Sequence, residues 1–260
     1  MIRTLLIIAG ASSVLALATL GGAAAIGGRD LARHGWAWTF QDDGGDSIRF
    51  ERENGAPVSP RVTRTLAWTG GDSLILDLPY DVTYVQGAEA GVVVTGPKDL
   101  ADGVSLVGSR LTMTGIDGRR ERVVFGWDEN GPTGVADSER LSIVVTAPAV
   151  TKFEVRGSAD LDIRAYDQPT LALDVSGSGN VEASGLARAV TVDVTGSGDA
   201  DLSNIGTGSA RVEISGSGDA AVAPTTQVDV EITGSGDVTL TTQPEKVTSS
   251  ITGSGDLIRD

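Results

Sequence analysis

Six short phrases of glycine, serine and a carboxylate or amide carry most of the chemistry this sequence offers. They are Gly157-Ser-Ala-Asp160, Gly177-Ser-Gly-Asn180, and Gly-Ser-Gly-Asp beginning at Gly196, Gly216, Gly234 and Gly253. Such a phrase cradles a phosphate, binds calcium through carboxylate and carbonyl oxygens, or turns a corner. The starts are 20, 19, 20, 18 and 19 residues apart, so Asp160, Asp199, Asp219, Asp237 and Asp256 recur in phase and are the calcium candidates. The calcium-binding nonapeptide repeat is much denser than one phrase per nineteen residues. A solvated acidic corner is therefore the favoured reading, and calcium is the one cofactor candidate in a chain otherwise expected to need none.

Other chemistry is scarce. The chain has no cysteine, and its one histidine, His34, lies near the N-terminus within a polar stretch. That leaves no Ser-His-Asp arrangement, thiolate site or multi-histidine metal site, and no catalytic residue is assigned. A second acidic series, Glu154, Asp174, Asp193, Glu213 and Glu231, stands three residues before the glycines, with Ser176, Thr195, Ser215, Thr233 and Thr252 beside it. Carboxylates stacked at strand spacing repel by about 0.9 kcal/mol per neighbouring pair in water. The least repetitive stretch holds Arg119, Arg120, Arg122 and Trp127 in an otherwise acidic protein. Read as a loop, it is the candidate contact site for a glycan or anionic partner.

The elements that must carry these groups follow from alternation. Two residues before each glycine stand Val155, Val175, Val194, Ile214, Ile232 and Ile251; four before stand Phe153, Leu173, Val192, Val212, Val230 and Ser249. After each turn come Leu161, Val181, Ala200, Ala220, Val238 and Leu257. Apolar residues at every second position, many β-branched, predict strands with one buried face, and the fixed period predicts a solenoid. The fold class is therefore all-β: a single-chain parallel β-helix with coils of about 19 residues, right-handed by the usual crossover rule. Six coils give a stem about 30 Å long. Glycine serves the corner and the close approach of coils, and Asp or Asn is expected to hydrogen-bond its own turn.

The remaining stretches set the boundaries. Arg3 followed by the uncharged run Thr4 to Gly28 reads as a signal peptide or N-terminal membrane anchor over 1–28. Residues 29–65, rich in glycine, proline and charge, read as a flexible spacer. The β-helix domain is expected over 66–257, with regular repeats at 151–257 and a tail at 258–260. Gly96 and Gly115, also 19 residues apart, read as corners of degenerate first coils that include a hairpin-like cap, because solenoid ends must be closed. The net charge of −15 excludes nucleic acid as a partner and leaves the membrane only to the N-terminal segment.

The tandem SGSGN, TGSGD, SGSGD, TGSGD, TGSGD, preceded by LILDLPYDVTYVQG and LSIVVTAPAVTKFEVRGSADLDI, resembles the GIN-domain family of autotransporter adhesin heads over about residues 66–257. The resemblance implies a bacterial envelope protein with a β-helical fold and an adhesive or structural role, and it supplies no catalytic residues. It is expected to hold without the autotransporter barrel, because Asp260 follows the last phrase by four residues. The expected function is a non-enzymatic envelope interaction domain facing the periplasm or exterior, contacting an envelope protein or surface glycan. A sensor or assembly subunit is the alternative, and a polysaccharide-active enzyme ranks behind both.

Overall fold

The structure, a computed structural model, describes residues 37–41, 47–52, 60–114, 120–128, 131–138 and 141–259. The first strands are β1 (Ala37–Gln41) and β2 (Ser47–Arg52). β3 (Arg61–Ala67), β4 (Ser73–Asp77), β5 (Val82–Gln86) and β6 (Gly91–Pro97) precede a short helix, α1 (Lys98–Gly103). β7 (Val104–Val107) and β8 (Arg110–Met113) follow, then β9 (Arg120–Asp128) and β10 (Gly131–Ser138). β11 (Ser142–Ala147) and β12 (Lys152–Gly157) lead into four long strands: β13 (Leu161–Gly177), β14 (Val181–Gly196), β15 (Ala200–Gly216) and β16 (Ala220–Gly234). The series ends with β17 (Val238–Leu240), β18 (Lys246–Gly253) and β19 (Leu257–Arg259).

The elements fall into two units. One is a four-stranded sheet in the order β1-β2-β9-β10, in which β2 and β9 run parallel and the two outer pairs antiparallel. Two expectations are corrected here. The spacer over 29–65 contains β1, β2 and, in the other unit, the start of β3. The basic-aromatic stretch is not a loop, since Arg120, Arg122 and Trp127 lie on β9. Arg119 and the segment over 1–28 lie outside the described residues.

The other unit is the predicted β-solenoid, with coils of about 20 residues. Each long strand runs from one corner phrase to the next, and its register with the neighbouring coil shifts on the way, as between Ile163 and Tyr166. Register is parallel and pairs corner with corner: Gly157↔Gly177, Gly177↔Gly196, Gly196↔Gly216, Gly216↔Gly234 and Gly234↔Gly253. Parallel pairing in phase sends every second side chain inward, where Val155, Val175, Val194, Ile214 and Ile232 form one buried column. Leu161, Val181, Ala200, Ala220 and Val238 form another. Each fully buried Val or Ile contributes about 1.5–3 kcal/mol.

The coils narrow to small and branched residues, and the aromatics gather at the N-terminal end. Tyr84 and Tyr166 pack edge-on against Phe153, with ring centroids 4.9 Å and 6.1 Å away. The Tyr84 hydroxyl donates to the Ala147 carbonyl at 2.8 Å and the Tyr166 hydroxyl to the Thr170 carbonyl at 2.6 Å. Burial pushes both phenols above their ordinary range. Beyond this plug lie one degenerate coil, β4 and β5, and a cap of mixed strand directions that includes the hairpin β7/β8. β4 and β5 continue the parallel ladder onto β12 and β13, while β3/β6, β6/β11 and β7/β8 are antiparallel. Gly96 sits inside β6 opposite Val62 and turns no corner. Gly115 lies outside the described residues.

Candidate functional site

At each corner the chain leaves one strand, crosses the Gly-Ser-Gly-Asp phrase and enters the next, so the phrases stack directly. The Gly157 carbonyl accepts the N–H groups of Ser178 at 2.8 Å and Gly179 at 3.1 Å, and the Gly177 carbonyl does the same for Ser197 and Gly198. This closeness fixes the residue type. At Gly196, φ is +123°, and a Cβ would fall onto the Gly177 carbonyl oxygen. At Gly198 a Cβ would fall onto the Gly179 carbonyl oxygen. Both glycines answer to the corner below them. The first phrase confirms it by exception: the turn below it, residues 78–81 between β4 and β5, is not a Gly-Ser-Gly-Asp phrase, and this phrase reads Gly-Ser-Ala-Asp, with Ala159 buried where later coils need glycine.

The calcium candidates do form one column, and the structure shows what their side chains bond. Asp160 Oδ1 accepts the backbone N–H of Asn180 at 2.9 Å, and Asn180 Oδ1 accepts that of Asp199 at 3.2 Å. Asp199, Asp219 and Asp237 continue the chain to the N–H groups of Asp219, Asp237 and Asp256 at 2.9, 2.7 and 2.8 Å. The backbone carbonyl of each upper residue accepts in return, as from Leu161 N–H to the Asn180 carbonyl at 2.8 Å. The side chain thus stands in for a ladder carbonyl at the corner. The expected bond to the residue's own turn is replaced by a clamp between coils. Asn180 was the available signal, because an amide in the column reproduces the acceptor without the charge. Among the described residues no group of His, Asp and Glu side chains converges to hold a metal ion.

Two further features border the corner. A groove of about 310 Å³ beside the first corner is lined by Asp81, Thr83, Asp160, Asp162, Asn180 and Glu182. On the strand face, Glu154, Asp174, Asp193, Glu213 and Glu231 lie in register, and Ser250 takes the place of the next carboxylate. Burial, then the Glu154 and Asp193 carboxylates, push the Asp174 carboxyl above the usual range. Arginines not singled out from the sequence brace this ladder. Arg156 Nε donates to Glu154 at 2.7 Å, while Arg211 bonds Glu213 at 2.7 Å and Asp229 at 2.9 Å. Their spacing of two residues from a carboxylate on the same strand face was the legible signal.

The model of the family "Putative auto-transporter adhesin, head GIN domain" matches residues 72–244, more than half of the chain. The chain belongs to this family. Among solved structures it is similar to a "putative adhesin" from Bacteroides fragilis, at 16% identity and a TM-score of 0.59, covering 78% of this chain and 99% of that one. It is also similar to a "putative lipid binding protein" from Parabacteroides distasonis, at 19% identity and a TM-score of 0.44, covering 81% and 99%. The first of these similarities shows the shared fold. Among curated proteins no sequence matches the chain. The GIN-domain match covers the acidic strand ladder from Glu154 to Glu231 and the corner column from Asp160 to Asp237.

Proposed function

We propose that the solenoid is a non-enzymatic contact module of the cell envelope, held outside the cytoplasm, whose outward sheet face is its binding surface. One observation carries this reading: the columns Glu154 to Glu231 and Ser176 to Thr252 run in unbroken register along one face, while the alternate residues of the same strands are consumed by the core. A repeated display of carboxylates and hydroxyls on a rigid ladder suits a partner with its own repeat, an envelope protein or a surface glycan. The family and the adhesin-like neighbour support the same role and the surface location.

The test has two parts. Protease treatment of intact cells making the full chain is expected to remove the solenoid epitope. Binding to arrayed surface glycans and to solubilised envelope proteins is then compared between the native chain and a variant carrying Asp193→Asn, Glu213→Gln and Glu231→Gln. Loss of binding by at least tenfold with an unchanged melting temperature supports the face as the contact surface. Equal binding by both proteins overturns it.

A further inference from the structure

The regular solenoid has two ends, and they differ. Toward the N-terminus, β12 and β13 are covered by β4 and β5, which pair onward with β8 and β11. Toward the C-terminus, among the described residues, β18 pairs only with β16 and β19 only with β17. Ile251 and Ile258 are 41% and 43% exposed there, whereas Val194, Ile214 and Ile232, in the Ile251 column, are buried.

The free edge of β18 has a readable pattern. Ala172 N–H donates back to Thr151 in the preceding coil, so outward-facing residues of a coil direct their backbone groups backward. Backbone groups alternate sides along a strand, so inward-facing residues direct theirs forward. By register, Thr248 and Ser250 belong to the first set, and Val247, Ser249 and Ile251 to the second. The N–H and C=O groups of these three therefore face out of the open end.

We propose that this end pairs with the same end of a second copy of the chain, β18 against β18 in antiparallel register about Ser249. In that register Val247 of each copy faces Ile251 of the other. Ser249 meets Ser249, and all three residues are in the hydrogen-bonding phase. The apolar pairs extend the buried columns across the join. Charge favours a second copy as well. In a chain of net charge −15, the acidic strand-face column stops at this edge, with Ser250 following Glu231; Thr248 likewise follows Asp229, and β18 contains no carboxylate, the corner column alone continuing to Asp256. Among the described residues the opposite end presents only the short edges of β3 and β7 and no matching open coil, so the contact is isologous and closes at two copies. One strand pair is a small interface, and association is accordingly concentration-dependent.

The chain lacks cysteine, which makes the test direct. Facing residues of a hydrogen-bonded antiparallel pair have Cα atoms about 5.5 Å apart, within disulfide reach. Full-length Ser249→Cys protein in mild detergent, under dilute oxidant, is expected to cross-link to a dimer at least ten times faster than Ser178→Cys, an exposed corner position. Adding Ile251→Lys to Ser249→Cys is expected to reduce that rate to the Ser178→Cys level with the main melting transition unchanged. Equal rates for the two cysteine positions, or a rate indifferent to Ile251→Lys, would overturn the proposal. The readout needs no ligand, so it fails independently of the contact-face reading.

Discussion

The solenoid and its cap share one sheet, yet only the solenoid repeats. In the solenoid each corner lies on another corner, so the same contacts recur and the same residues are demanded. In the cap, strands of four to seven residues meet in both orientations, and each junction is solved separately. There Arg64 reaches the Val104 carbonyl at 3.3 Å and α1 buries Leu100 and Ala101. Repetition in sequence therefore records repetition of neighbours. Ala159, at the boundary, is the residue where one regime becomes the other.

The contrast breaks most sharply at the glycines. Gly216→Ala, with φ of +141° and the Gly196 carbonyl in the way, should cost about 4 kcal/mol in chemical denaturation. Ala159→Gly, at a corner stacked on the dissimilar turn between β4 and β5, should cost about 1 kcal/mol. Equal costs would mean that stacking does not select the glycines. Next comes position along the stack: Ile214→Ala should cost about 3 kcal/mol. Ile251→Ala, in the same column but exposed, should cost less than about 1 kcal/mol in the same denaturation measurement.

The clamp is sharpened by charge. Asp219→Ala should cost about 1.5 kcal/mol and Asp219→Asn almost nothing, because Asn180 already performs this role. Calcium titration of both proteins followed by thermal melting separates the alternatives. A structural clamp predicts stability independent of calcium, whereas a metal-linked corner predicts a calcium-dependent rise lost in Asp219→Asn. The smallest effect lies on the strand face. The folded chain holds the Asp174 proton more tightly than the unfolded chain does, so this residue's contribution to stability is full below the unfolded pKa. It is lost as pH rises through the folded pKa. Asp174→Asn should thus match the native protein at low pH and exceed it by about 0.5 kcal/mol at neutral pH.

How much was legible differs by region for a physical reason. The alternation from Phe153 to Val238 identified strands, inner columns and corner phase, because burial on one face of a strand imposes a period of two on the residues themselves. The hairpin-like cap is present as β7 and β8, but no corner stands at Gly96, whose spacing imitates the repeat while its strand pairs antiparallel with β3. No local pattern distinguishes those orientations over so short a strand. Arg120, Arg122 and Trp127 looked like a loop because β9 pairs with β2 and β10, and the 67 residues between β2 and β9 hide one partner from inspection.

The sequence by itself determined the solenoid, its coil length, its buried columns and the places where only glycine fits, since each is a local demand repeated until it becomes visible. The tertiary structure alone decided what the corner carboxylates hold, how the cap covers one end and which backbone groups face out of the other. Those depend on which atom of one coil meets which atom of the next, a relation across about 19 residues that no single stretch of chain contains.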